Sequence, residues 1–373
     1  MKNKIHKYDF LVVGAGLIGA IAALALVQKK FKVLVIDKDN GTKKDNRTLA
    51  VNANSIDFLK KLGIWKLLKS QPQSIDKIVI KDNINKRPLI FENEYETMGN
   101  VVLNKEIYEI AKEKLENLNI LKIDNHLDIS DIYPNKNLFI DGSNFCFKKI
   151  IISIGKNILS ETTHRSIIFN NNHRSYVGFF KHSRVHNNTA YEFFTNDGPL
   201  AVLPAPSKNK KKSTFIYSSK EKINKFKLQK LINEKILKSH GKLIFDQSIS
   251  KFPITPHITK KNDSFIYIGD SLKSIHPVAG QGWNLGVKDI QTLCKLLDQY
   301  SIDSKSFNSF YHSRRSIESL IYLGFTSILN SLYESKNSSL TKIIKVGYKA
   351  LEKNKFVRDI FIKQAMGRIN LID

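Results

Sequence analysis

Residues 9–20 read DFLVVGAGLIGA, and few chain paths accommodate that string. Phe10–Val13 is a short apolar run suited to a strand buried on both faces, and the alanine-rich stretch that follows, to about Lys29, has the composition of a helix. Between them stands the GxGxxG turn Gly14-Ala15-Gly16-Leu17-Ile18-Gly19. In such a turn the first glycine permits the tight bend, the second lets backbone N–H groups approach a diphosphate, and the third lets helix and strand pack closely. The helix N-terminus then faces the phosphate charge. A second apolar run, FKVLVID, ends in Asp37, 18 residues past Gly19, where an acid accepts hydrogen bonds from an adenosine ribose; Lys38 follows it. Together these parts predict a parallel α/β sheet with a dinucleotide site. They do not separate FAD from NAD.

The same glycines decide how the N-terminus is read. A basic start followed by an apolar run from Phe10 to Val27 has the outline of a signal peptide or a single membrane span, but the glycines break it into strand, turn and helix. No other apolar run is long enough to cross a bilayer, so the expectation is a soluble or peripheral protein. The formal charge of +26 is carried mainly by lysine, since only nine of the 60 basic side chains are arginine. Arginine is the usual reader of bases and clamp of phosphates, so no nucleic-acid partner is expected. A diffuse solvated surface, or attraction to an anionic membrane face, accounts for the excess. Cys146 and Cys294 lie far apart and fit no metal-ligand spacing. The expected location is therefore the cytoplasm, with the inner face of the membrane as an open alternative. His182 and His186 lack a third ligand, and no metal is expected.

Further along, Ile56, Leu59, Leu62 and Trp65 share a helical spacing, and Asn104–Leu118 is predicted as a helix with Asn104 as its N-cap and Ile107, Ile110, Ala111, Lys114 and Leu118 on one period. Short strand-like pieces fill residues 119–153, and aromatic-rich strands fill residues 174–219, with PSKNKKKS (residues 206–213) as a charged hairpin tip. Residues 338–369 predict one or two amphipathic helices, with Leu340, Ile343, Ile344, Gly347 and Leu351, then Phe356, Ile360, Phe361 and Ala365, on their apolar faces. The expected fold class is α/β: a Rossmann-like domain (residues 1–70, 96–160 and 252–310), an inserted, mainly antiparallel sheet for the substrate (71–95 and 161–251) and a C-terminal helical region (311–373).

A second glycine-dense segment, GDSLKSIHPVAGQGWNLGVKDI, runs from Gly269 to Ile290. It begins where the strand SFIYIG ends, so Asp270 is expected at the crevice outside the carboxyl ends of parallel strands, within reach of ribityl hydroxyls. Next come His276 and a rigid Pro277, then the loop Gly280-Gln281-Gly282, whose backbone is free to approach a ring, and a helix expected to start near Trp283 or Asn284. Convergent N–H groups at such a start suit the anionic edge of a flavin. Two turns of this kind hold two ends of one long cofactor, which points to FAD, since NAD alone has no need of the second.

At this point the chain resembles a known family. GDSLKSIHPVAGQGWNLGVKDI together with VVGAGLIGA, RTLAVN, DGPLAVLP and the closing FIKQAMGRI is similar to the class A flavin monooxygenases of the para-hydroxybenzoate hydroxylase fold, most nearly to the ubiquinone-biosynthesis hydroxylases of polyprenylated phenols. The resemblance implies aromatic hydroxylation with FAD, NAD(P)H and O2. It implies that residues 14–19 hold the diphosphate, that Asp37 holds the ribose, and that Arg47 reaches the phosphate and ribityl side. Lys105 stands where the family has arginine. Gly269 and Asp270 would meet the ribityl chain, and Pro277 with residues 280–284 would meet the flavin ring. Pro277, with His276 beside it, is the expected catalytic pair. A prenylated substrate would lie under Val177–Phe180 and Leu200–Leu203. The chain departs from the pattern at Ile154, where an Asp-Gly pair is usual, and at GDSLK, where GDAAH is usual. The departures leave open a reductase or halogenase, and a non-enzymatic partner in a biosynthetic complex.

Overall fold

A computed structural model of the protein describes residues 5–38, 47–85, 87–93, 95–123, 137–140, 143–160, 165–169, 173–276, 280–334 and 338–369. Its helices are α1 (Leu17–Gln28), α2 (Ala53–Lys61), α3 (Asn104–Asn117), α4 (Lys225–His240), α5 (Gly282–Gln299), α6 (Phe307–Glu334), α7 (Ser338–Lys353) and α8 (Lys355–Ala365).

The first sheet runs, strand by strand, Phe265–Tyr267, Ser143–Ile152, Ile5–Val13, Val33–Asp37 and Leu121–Ile123, all parallel, with Asn137–Ile140 antiparallel on Ser143–Ile152. The carboxyl-terminal halves of the two central strands, Phe10–Val13 and Ile150–Ile152, are apolar because both faces are covered there. Phe10 and Val12 point into one core shared with α1, α3 and α5, and Leu11 and Val13 into another with Leu34, Ile36, Ile150 and Tyr267. The carboxyl ends of four of these strands therefore meet on one edge, at Gly14, Ser153, Asp37 and Ile268.

The second sheet is mainly antiparallel, in the order Leu243–Phe245, Arg174–His182, Lys212–Ser219, Gly198–Pro204, Thr189–Thr195, Lys77–Asp82 and Leu89–Glu92, with Ser250–Pro253 also on Arg174–His182. The pairing of Thr189–Thr195 with Lys77–Asp82 is parallel. Leu228, Ile232 and Ile236 of α4 cover one face, against Tyr176, Phe180, Phe193 and Phe215. The C-terminal helices pack on the body, where Tyr348, Ile362 and Met366 join Ala53, Leu89, Phe91 and Met98 in one cluster.

Several local expectations need correction. Helix α3 begins at Asn104 with Leu103 in the cap position, so Asn104 is its first residue and not its N-cap. Its buried face continues from Ala111 to Leu115, one residue past Lys114, and Leu118 is the half-exposed C-cap. At about 100° per residue Leu118 keeps nearly the heading of Ile107, so its exposure goes with its place past the helix end at Asn117 and not with the period. Helix α2 stops at Lys61 because Gly63 turns left-handed (φ +66°), and Trp65 lies in a separate 3-10 turn. On α8 the contact residues are Phe361, Ile362 and Ala365, whereas Phe356 and Ile360 stay exposed.

Candidate cofactor and substrate site

The edge where the parallel strands end opens into a cavity of about 1110 Å³. That is above the roughly 300–1,000 Å³ usual for small-ligand pockets. Gly14, Gly16, Leu17, Ile18, Asp37, Lys38, Arg47, Lys105, Gly269, Asp270, Gly280, Gly282 and Trp283 all line it. Both glycine-dense turns thus serve a single cavity.

Close packing explains most of the glycines. A Cβ on Gly14, whose φ is +98°, would lie 2.4 Å from the Ser153 carbonyl oxygen, and one on Gly19 would lie 2.0 Å from that of Gly14. Gly16 is different, because a Cβ there would meet nothing within 4 Å. Its backbone borders open cavity, which is what a closely approaching diphosphate requires. Asp37 braces the same turn, its carboxylate accepting the N–H of Ala15 at 2.5 Å. Ala15 therefore faces Asp37, and neither Ala15 nor Gly19 lines the cavity.

The second turn rests on the first. Ile18 lies 3.2 Å from where a Cβ of Gly269 would be and 2.8 Å from that of Gly286. Gly269 is itself left-handed (φ +59°), and its N–H is held at 2.9 Å by the Asp289 carboxylate of α5. Asp289 also takes Lys273 Nζ at 2.6 Å and Arg315 Nε at 2.7 Å, while Arg315 and Lys288 share Glu318. The side chains of Lys273, Asp289 and Arg315 are essentially inaccessible to solvent. Burial pushes the Lys273 ammonium down to about 8 against the attraction of Asp289.

Asp270 is accessible through the cavity it lines, yet protein surrounds it closely enough that desolvation raises its carboxyl pKa. Lys156, His257, Arg47 and Lys273 act in the opposite sense and favour its ionised form. Arg47 stacks on Phe252, 4.8 Å from the ring centroid, and Lys105 pairs with Glu109 at 3.4 Å.

Some expected positions lie elsewhere. Helix α5 starts at Gly282, one or two residues earlier than its sequence suggests, with Gln281 at the cap. Asn284 is buried and engaged with protein, its Oδ1 accepting the Asn52 N–H at 3.0 Å and its Nδ2 donating to Ala50 O at 2.8 Å. It ties α5 to the strand Thr48–Asn52 and does not line the cavity, and neither does Gln281. His276 is buried with its ring 5.1 Å from that of His173, and Pro277 lies outside the described residues. Of the apolar strands expected over the substrate, Val177 and Leu203 line the cavity, joined by Ser175, Ile216, Phe252 and Ile254, while Phe180 is buried under α4.

Sequence reasoning missed the turn Ser153-Ile154-Gly155-Lys156 as a lining segment, noting only that Ile154 replaces an acid. The signal was present, since this segment follows a parallel strand at its carboxyl end just as Gly14 and Asp270 do. Among the described residues no cluster of three His, Cys, Asp or Glu side chains could hold a metal, and no helix is long and apolar enough to cross a membrane.

The cavity fits FAD: open backbone at Gly16 for phosphates, an acceptor at Asp37 for a ribose, and Asp270, Gly280 and Gly282 lining the same space. The comparisons agree. Residues 7–123 match the family described as FAD binding domain, and residues 221–364 the one described as squalene epoxidase. The ubiquinone hydroxylase UbiL of Rhodospirillum rubrum is 23% identical over 97% of this chain and 90% of its own length. The COQ6 ubiquinone biosynthesis monooxygenase of Caenorhabditis elegans is 24% identical over 90% of each chain. The crystal structure of p-nitrophenol 4-monooxygenase PnpA from Pseudomonas putida superimposes with a TM-score of 0.73, covering 97% of this chain and 98% of that one at 14% identity, which shows a shared fold. The turns, the cavity and these relatives agree: residues 7–123 are an FAD-binding domain, and the chain over nearly its whole length is similar to ubiquinone-biosynthesis monooxygenases.

Proposed function

We propose that this protein hydroxylates the ring of a polyprenylated phenol in ubiquinone biosynthesis, with O2 as oxygen source and NAD(P)H as reductant. One observation carries the reading: the cavity that joins the two glycine turns continues under the apolar residues Val177, Leu203 and Ile216 of the second sheet. Bound FAD supplies the oxygen chemistry, and the protein supplies position, a dry wall and electrostatics. In this arrangement Gly16 and the N-terminus of α1 receive the phosphates, Asp37 accepts ribose hydroxyls, and Asp270 accepts ribityl hydroxyls. Lys156, His257 and Arg47 favour the ionised form of Asp270 against its desolvation. The Gly280–Trp283 segment borders the ring end. His276, enclosed against His173, shapes its loop from behind, and Pro277 is proposed to face the ring. The apolar wall takes the prenyl part of the substrate, and the lysine surplus favours approach to an anionic lipid surface.

The test is product analysis with purified protein, FAD, NAD(P)H and ¹⁸O2 on a prenylated phenol. One labelled oxygen in the product is expected; turnover of NAD(P)H without label in any product would overturn the hydroxylase reading. A second reading, a flavin-binding partner without turnover, is favoured by Ile154, which lines the cavity where the resemblance expects an acid. Introducing Ile154→Asp separates the two, because only a reduction-impaired chain gains NAD(P)H oxidation from it.

A further inference from the structure

The turn that follows the strand Ser143–Ile152 touches both glycine-dense turns. On one side the Ser153 carbonyl packs beneath Gly14 and its Oγ lies 3.1 Å from where a Cβ of Gly19 would be. On the other side Gly155 O accepts the hydroxyl of Ser271 at 3.3 Å, which fastens this turn to the one that carries Asp270. Gly155 is left-handed (φ +64°) with nothing within 4 Å of a Cβ. The next residue, Lys156, lines the cavity and is the only ionisable side chain in residues 153–160. In a chain whose surface is crowded with lysines, this one is turned inward. Its Nζ donates to Pro253 O at 3.3 Å, and among the described residues its other two N–H bonds have no partner. It is close enough to Asp270 and Arg47 for each to act on its charge, and burial lowers its pKa.

We propose that Lys156 is a cofactor-binding residue whose ammonium meets the diphosphate of the dinucleotide, between the nucleotide end at Asp37 and the ring end at Gly280–Trp283. The inference rests on the FAD reading above and adds to it a residue that no glycine motif marks. The physical reason is charge. A diphosphate brings two negative charges beside Asp270, and the N-terminus of α1 offers only about half an elementary charge in return. Buried anions need close cations with unused donors, and Lys156 has both the position and two donors to give. Arg47 stacks on Phe252, next to the Pro253 carbonyl that takes Lys156, and both cations act on Asp270.

The test uses the apo-protein and its Lys156→Met and Lys156→Arg variants, with dissociation constants for FAD by flavin fluorescence quenching and for ADP and riboflavin by competition and calorimetry. Lys156→Met should weaken FAD and ADP about ten- to a hundredfold, the usual range for a hydrogen bond to a charged group, and leave riboflavin within about twofold. Lys156→Arg should recover most of the loss. Unchanged FAD and ADP binding in Lys156→Met would overturn the inference, and so would an equal loss for all three ligands, which would assign Lys156 to Asp270 or to folding. If the wild-type chain bound no FAD, the proposed function would fail first and the inference with it.

Discussion

The Asp289 carboxylate holds the backbone N–H of Gly269 at 2.9 Å, so a residue one helix turn beyond Gly286 sets the left-handed bend that presents Asp270 to the cavity. The same carboxylate is the ion-pair partner of Lys273 and shares Arg315 with Glu318. Replacing it by alanine would strand the buried Lys273 and leave Arg315 with Glu318 alone. Asp289→Ala is expected to lose about 3–5 kcal/mol of stability, the range for breaking a buried pair from one side. Lys273→Met should lose less, because Arg315 and the Gly269 N–H still satisfy Asp289. Denaturant unfolding of both variants checks the order, which would be reversed if Lys273 and not Asp289 organised the network.

Lys273 also gives the protein a dependence on alkaline pH. Its pKa falls from the ordinary 10.5 to about 8 in the folded chain. The unfolded chain then binds more protons between these values, so the contribution of Lys273 to stability grows as pH rises from about 8 towards 10.5 and is absent below 8. The stability of wild type relative to Lys273→Met should rise across that window. A difference that stays flat from pH 8 to 10 would contradict it.

Acid acts on the other sheet. His182, His186 and His240 lie together beneath α4, with ring centroids of 4.6 Å for His182 and His240 and 5.9 Å for His182 and His186. Burial lowers all three, to about 4 for His186 and about 3 for His240, and repulsion from His182 adds to the shift of these two. Their stabilising contribution is complete above 6.5 and is lost as pH falls towards 4 and below, because the unfolded chain takes up those protons first. His240→Phe should therefore melt less steeply with acid than wild type between pH 6 and 4, as followed by circular dichroism.

Two glycines of one motif should fail in different ways. Gly14→Ala meets a carbonyl oxygen at 2.4 Å in a backbone conformation alanine rarely adopts, so it should lower the melting temperature of the apo-protein by several degrees or prevent folding. Gly16→Ala meets nothing in the protein and should leave that melting temperature within a degree or two. Its methyl group instead occupies the cavity edge, and FAD affinity should fall about tenfold or more by the loss of close backbone approach. Equal effects of the two substitutions on the apo-protein would remove the distinction.

How much of this was legible in the sequence depends on the range of the interaction. The Gly14–Gly19 turn and Asp37 could be read because strand, turn, helix and acid fall within 30 residues and each has a fixed offset from the last. The segment after Gly269 was legible as a second site for the same local reasons. Side chains whose partners are distant in the chain were not. Asn284 reads as a helix-start residue near a ligand, but its amide is taken by Asn52 and Ala50, more than 200 positions away. Arg315 sits in a helix with no motif, and only packing brings it to Asp289. Lys156 was hidden by company: among so many solvated lysines, nothing in its neighbours announces that this one points inward.

The contact of Ile18 with Gly269 and Gly286 has a consequence for biosynthesis. During translation the N-terminal bend emerges some 250 residues ahead of the surface it leans on, and until that surface arrives its isoleucine has only solvent or a wrong partner. Nascent chains halted before α5 should therefore stay protease-sensitive at their very beginning, and nucleotide capture should switch on late and abruptly, once the far end of the polypeptide has docked.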